Sequence, residues 1–123
     1  MGIGKKLKTP YGDLIVKAYS YQNNGRLAIL LYTEDGELFE DLTINLSNMM
    51  TLEIDEGFIS SDIELINNEK FNIIDTLEKL NIIKENYGKK QYNIGRYTHV
   101  RFNLDVLKEY DSEGIEKFLK ENS

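Results

Sequence analysis

The chain has 123 residues, 41% hydrophobic and 29% charged, with a net charge of −6, no Cys and one His. These counts exclude disulfide frameworks, thiolate metal sites, cysteine nucleophiles and every multi-histidine metal centre. No apolar run approaches the ~20 residues that span a bilayer, and Met1-Gly2-Ile3-Gly4-Lys5-Lys6 is not followed by a signal-peptide apolar stretch. A cytoplasmic protein without a membrane partner is the expectation, with one domain over 1–123.

Turn residues punctuate the first half as a β-meander. Ile3 to Lys8 reads as an edge strand, and Thr9-Pro10-Tyr11-Gly12 as a turn, with Pro fixing one φ and Gly accepting a positive one. Asp13 to Tyr21 alternates, placing Leu14, Val16 and Ala18 on one face. Asn23-Asn24-Gly25 reads as a hairpin turn. Arg26 to Thr33 is nearly all apolar, which predicts a central strand buried on both faces and a cost of ~2–5 kcal/mol for Leu30→Ala. Glu34-Asp35-Gly36 makes the next hairpin turn. From Glu37 to Leu46, the even positions Leu38, Leu42, Ile44 and Leu46 are expected inward, with Phe39 and Thr43 facing the other way.

Residues 47–68 are less regular. Met49, Met50, Leu52 and Ile54 lead into an extended Gly57-Phe58-Ile59. Phe71, Ile74, Leu77 and Leu80 then fall at helical spacing, predicting a helix from about Glu69 to Leu80 with Asn68 as its cap. Asn86-Tyr87-Gly88 reads as a turn, and Gln91 to Leu104 as a strand. Tyr92, Ile94, Thr98, Val100, Phe102 and Leu104 share one face of it, with Arg96 intruding; Asn93, Tyr97, His99, Arg101 and Asn103 share the other. Asp111 or Ser112 caps a last helix through Asn122, with Ile115, Phe118 and Leu119 as its apolar stripe. The sum is an α+β fold, a mostly antiparallel meander sheet with one or two helices on one face and the second at the C-terminal end.

Catalytic and metal motifs are missing. His99 is the only possible histidine base, and no G-x-S-x-G elbow accompanies it. Gly2-Ile3-Gly4 lacks the rest of a dinucleotide fingerprint, Gly88-Lys89-Lys90 lacks the rest of a Walker loop, and Asp55-Glu56-Gly57 lacks calcium-loop spacing. Carboxylate pairs remain for acid–base work, but no spacing nominates one. The reading is a non-enzyme with no catalytic, metal or cofactor residue.

Charge and aromatic patterning nominate two surfaces instead. Residues 1–33 sum to +4, residues 34–78 to −12 and residues 79–123 to +2. Glu34, Asp35, Glu37, Glu40 and Asp41 surround one hairpin, and Glu53, Asp55 and Glu56 lie in the following loop. Together they form a candidate face for a basic protein partner, whose field would steer association. Charge reversal at Asp55 and Glu56 is expected to leave stability within about 0.5 kcal/mol, as at other exposed loop sites. The second surface interleaves cations with aromatics: Lys89, Lys90, Tyr97, His99 and Arg101, a pattern suited to stacking bases while neutralising phosphate. Its bland counterpart is the wet face of an antiparallel sheet, where such cross-strand pairs are common.

Leu7-Lys8-Thr9-Pro10-Tyr11-Gly12-Asp13, then Asn24-Gly25-Arg26-Leu27-Ala28-Ile29, Asp35-Gly36-Glu37 and Leu42-Thr43-Ile44-Asn45-Leu46, resemble a known family. Its members are short bacterial proteins of unknown function, often carried on plasmids, conjugative elements and phages. Their pattern is a TPYGD start, an NGRxAI strand, a DG hairpin, a T-[VI]-N-L strand, an acidic loop and an FI segment, here Phe58-Ile59. The resemblance is strongest before residue 60, and it supplies no activity and no catalytic residues. It implies an accessory protein of a mobile element, a class rich in counter-defence and regulatory binders. The expected function is therefore non-enzymatic protein binding, with nucleic-acid or nucleotide binding as the alternative.

Overall fold

Short turns in the first third build an antiparallel sheet. The computed structural model describes residues 4–9, 12–22, 25–46, 53–60, 63–66, 69–92 and 95–122, with backbone alone at 63–66 and 69–71. Strands β1 (Leu7–Thr9), β2 (Gly12–Ser20), β3 (Leu27–Thr33) and β4 (Leu38–Asp41) lie side by side in chain order. Thr9 pairs with Gly12 and Ser20 with Leu27, so two of the expected turns fall where turn chemistry puts them. Ile3, Pro10, Tyr11, Asn23 and Asn24 lie outside the described residues. At the third turn Gly36 adopts a φ of 90°, where any Cβ would be strained.

Leu14, Val16 and Ala18 of β2 and Leu27, Ile29 and Leu31 of β3 are all buried on one face. β3 is central, as expected, but its other face is not sealed. Leu30 is only half-buried, opposite Lys17 of β2 and Asp41 of β4. The deep cavity site on this strand is therefore Ile29, not Leu30. An apolar run reports hydrophobicity on both faces, but not which face has a partner layer.

The next strand departs from simple alternation. A register shift between Leu31 and Tyr32 carries Leu38 opposite Tyr32, on the outer face, where it is 54% exposed. Phe39 packs against the core instead, and Thr43 is buried. After Asp41 the chain changes sheets. The Leu42 N–H donates to the Ile29 carbonyl at 3.0 Å, and the Ile29 N–H donates to Thr43 Oγ1 at 3.0 Å. Thr43 Oγ1 also bonds the Tyr21 hydroxyl, so its buried oxygen is satisfied. The α+β antiparallel fold holds, but its strands divide into two four-stranded sheets and a two-stranded ribbon.

The second sheet runs β5 (Thr43–Ile44), β6 (Glu56–Ile59), β10 (Gly95–Phe102), β9 (Ile83–Tyr92), each pair antiparallel. The ribbon is β7 (Ile63–Ile66) with β8 (Glu69–Asn72). The expected helix from Glu69 therefore begins later, as α1 (Ile73–Lys79). Its cap is Asn72, whose side chain accepts the Asp75 N–H; Asn68, Met49, Met50 and Leu52 lie outside the described residues. Asn81 takes a φ of 63° just past the helix, and the Ile82 N–H returns to the Leu77 carbonyl. Leu77 and Ile82 are both buried there, a hydrophobic-sealed helix end.

Leu104, expected at the end of a strand, instead opens α2 (Leu104–Tyr110), capped by Asn103. α3 (Ser112–Glu121) is capped by Asp111 as its sequence indicates. Asp111 Oδ2 also accepts the Ala18 N–H at 2.9 Å, beyond the point where β1 stops pairing with β2. A Cβ on Gly114 would sit 2.6 Å from the Ala18 carbonyl oxygen, so only glycine allows α3 this close. One buried cluster joins both sheets with all three helices, including Val16, Ile29, Leu77, Val100, Phe102 and Phe118. Among the described residues no helix is long and apolar enough to cross a membrane.

Candidate functional site

The two nominated surfaces meet at the middle of the second sheet. Register places His99 of β10 opposite Phe58 of β6 and opposite Gly88 of β9. The next pair is Val100 with Asn86, which leaves Tyr87 as the extra residue of a β-bulge. Gly88 supplies the positive φ of 88° there, and its N–H donates to Asn86 Oδ1 at 2.9 Å. Asn86-Tyr87-Gly88 is thus a bulge inside a ten-residue strand rather than the turn expected from its composition.

The bulge lays the Tyr87 ring against His99, with centroids 4.7 Å apart, and Phe58 stacks at 5.1 Å. His99 is consequently 6% exposed, not a wet-face residue. Its Nε2 lies 3.3 Å from Glu56 Oε1. A carboxylate only accepts, so Nε2 is the donor in this contact. Nδ1 is buried without a partner among the described residues.

Arg101 sits two residues along the same face and donates from each of its three nitrogens. Nη1 donates to Asp55 Oδ1 at 2.5 Å, Nη2 to Glu56 Oε2 at 2.8 Å, and Nε to the Tyr87 hydroxyl at 3.0 Å. Glu85 adds an ion pair at 3.3 Å and accepts the Tyr87 hydroxyl proton. Hydrogen bonds to Tyr87 and Asp55 raise the guanidinium pKa above its already high ordinary value. Three carboxylates face one guanidinium and one imidazole, so the cluster repels phosphate rather than attracting it.

Asp55 and Glu56 therefore leave the expected partner-binding face, because Arg101 and His99 consume them in partly buried pairs. Arg101 and His99 leave the expected nucleic-acid face for the same reason. Of that face, Lys90 stands opposite Tyr97 on the His99 side, whereas Lys89 stands opposite Thr98 on the other. The acidic hairpin divides as well. Asp35, Glu37 and Asp41 are exposed, and Glu53 is exposed elsewhere, ahead of β6. Glu34 is tied to Lys6 at 2.5 Å, and Glu40 is half-buried opposite Leu31.

Sequence reasoning missed Tyr87, Glu85 and Phe58. The available signal was an Asn-x-Gly triplet inside a longer alternating stretch, which a bulge explains as well as a turn does. Chemically, the cluster pairs charges and closes the outer face of the second sheet. Among the described residues, no hydroxyl nucleophile bonds His99, and no group of three or more acidic or imidazole side chains is arranged to hold a metal.

Residues 15–122 match the family model of a domain of unknown function, DUF4313, and the chain belongs to that family. No curated protein and no solved structure matches it.

Proposed function

We propose that this protein is a non-enzymatic binding factor, an accessory protein of a mobile genetic element of the counter-defence or regulatory kind, whose acidic surface engages a basic protein partner. The observation that carries the reading is Leu38, 54% exposed between the acidic turn at Asp35 and Glu37 and the outer face of the first sheet. Its row continues across the sheet as Tyr32 and Ile15. On the same face, Tyr19, Leu30 and Ile44 line a groove of about 540 Å3 with Asp41 at its rim. Apolar patches rimmed by charge are the usual form of protein-binding surfaces, with the apolar anchor supplying affinity and the rim supplying steering. Among the described residues, Asp35, Glu37 and Asp41 form no ion pair and outnumber Lys17 on this face, which favours a partner with a basic rim around an apolar pocket.

The test is capture from the native host with wild type, with Asp35→Lys/Glu37→Lys and with Leu38→Ala, followed by association kinetics on the recovered protein. The expected result is a partner lost with either variant, whose association rate falls as salt rises. A rate indifferent to both salt and the charge reversal overturns the reading.

A further inference from the structure

The distal half of the β9–β10 hairpin differs from its base. Between Asn86 and Leu104 the sequence has no carboxylate side chain, but it has Lys89, Lys90, Arg96 and Arg101. Arg101 at the base is ion-paired with Asp55, Glu56 and Glu85. Past Thr98 the pairs Tyr97–Lys90, Arg96–Gln91 and Gly95–Tyr92 continue the ladder with no buried residue among them. Among the described residues, the side chains of Lys90 and Arg96 make no ion pair. Directly opposed and alternate residues share a face, so Lys90, Tyr92, Gly95 and Tyr97 lie together. A Cβ on Gly95 would come within 3.0 Å of the Tyr97 ring. The hydroxyl end of that ring therefore reaches back over Gly95, the position that faces Tyr92.

We infer that this arm binds single-stranded nucleic acid, with Tyr97 and Tyr92 stacking bases and Lys90, on the same face, meeting a flanking phosphate, while Arg96 projects from the opposite face and adds only to the positive field of the arm. Aromatic rings beside a cation are a sequence-tolerant platform, because every base offers a π-face and every nucleotide a phosphate. Duplex bases are already stacked on each other and offer their faces only at the ends, so the single strand is the better fit. A purely protective role competes with this, since lysine on an edge strand discourages pairing with other chains. It accounts for Lys90 on β9 and for Arg96, which lies beyond the last β6–β10 pair, but not for two tyrosines left half-exposed. The carboxylates around Arg101 bound the site on the sheet side, so the arm accommodates only a short stretch of strand.

The experiment is fluorescence anisotropy of labelled oligothymidylate, oligouridylate and a duplex of equal length, with the full chain across a salt series. Micromolar binding of either single strand, weaker binding of the duplex, and affinity that falls with salt are expected. Lys90→Ala should flatten the log–log salt slope by about 0.7, the value for one phosphate contact on a single strand. Tyr92→Ala and Tyr97→Ala should each weaken binding roughly five- to a hundredfold, and Tyr97→Phe should retain most of it. Far-ultraviolet circular dichroism of each variant establishes that the sheet is intact, and Tyr97→Phe keeps the test valid should Tyr97→Ala unfold. No anisotropy change at micromolar protein and low salt overturns the proposal. So does tighter binding of the duplex, or single-strand affinity indifferent to both tyrosine truncations in folded protein.

Discussion

Two acidic stretches, Glu34-Asp35-Gly36-Glu37 and Glu53-Ile54-Asp55-Glu56, carry the same formal charge and meet opposite fates. The first caps a hairpin whose strands are already paired, so Asp35 and Glu37 stay in water. The second runs into β6, which pairs with β10 and faces Arg101 and His99 from the neighbouring strand. Water solvates one set, and a guanidinium and an imidazole replace water for the other. Formal charge along a chain is therefore a poor map of surface potential wherever a strand can bring a counter-charge from far away in sequence.

The sharpest way to break that comparison is charge reversal at each stretch. Asp55→Lys/Glu56→Lys places two cations beside Arg101 in a partly exposed site and should lower stability clearly more than the turn reversal does. Asp35→Lys/Glu37→Lys should stay within about 0.5 kcal/mol, as exposed sites do. Urea unfolding of both variants checks this. Equal losses would mean that the β6 carboxylates are no more committed than the turn ones.

A smaller effect separates charge from packing within the cluster. Tyr87→Phe keeps the ring on His99 but removes the hydroxyl that bonds Arg101 and Glu85, and should cost about 1 kcal/mol. His99→Phe should fall near zero, because the lost Glu56 bond is offset by removing the unpartnered Nδ1, whereas His99→Ala should cost about 2–4 kcal/mol through the cavity it leaves. Thermal melts of the three variants rank them. A His99→Phe loss as large as that of His99→Ala would show that the ring nitrogens, rather than the stack, hold this face.

The smallest expected effect concerns the one turn carboxylate with a partner. The hydrogen bond and charge of Glu34 raise the Lys6 pKa above its ordinary 10.5. Its stabilising contribution is thus complete below the unfolded value and lost as pH rises through the folded one. Lys6→Gln should leave the urea midpoint unchanged at neutral pH and physiological salt, because both groups are exposed and screened. It should also remove a slight alkaline loss present in wild type. A clear midpoint shift at neutral pH would show the turn to be as structurally committed as the β6 lead-in.

Much of the fold was legible locally. Turn glycines, the alternation of Leu14, Val16 and Ala18, and the Asp111 cap each depend on neighbours within a few residues. The errors share a cause. Leu38 and Phe39 exchanged faces at a register shift, Glu69–Asn72 paired as a strand despite helical spacing, and Tyr87 became a bulge rather than a turn. In each case a partner strand overrode a local preference worth only a fraction of the pairing energy.

By itself, then, the sequence determined the α+β class, the antiparallel meander of β1 to β4 and the C-terminal helix, because backbone conformation and apolar periodicity act over short range. Only the tertiary structure decided which charges remain in water. Glu56 and Arg101 are 45 residues apart in the chain yet 2.8 Å apart in space, and that meeting is set by the register of β6 on β10. It commits four of the nominated residues, Asp55, Glu56, His99 and Arg101, to one another and leaves Leu38 with its acids and the tyrosine–cation arm as the two uncommitted surfaces. Side-chain type is written in the chain, but solvation belongs to the packing.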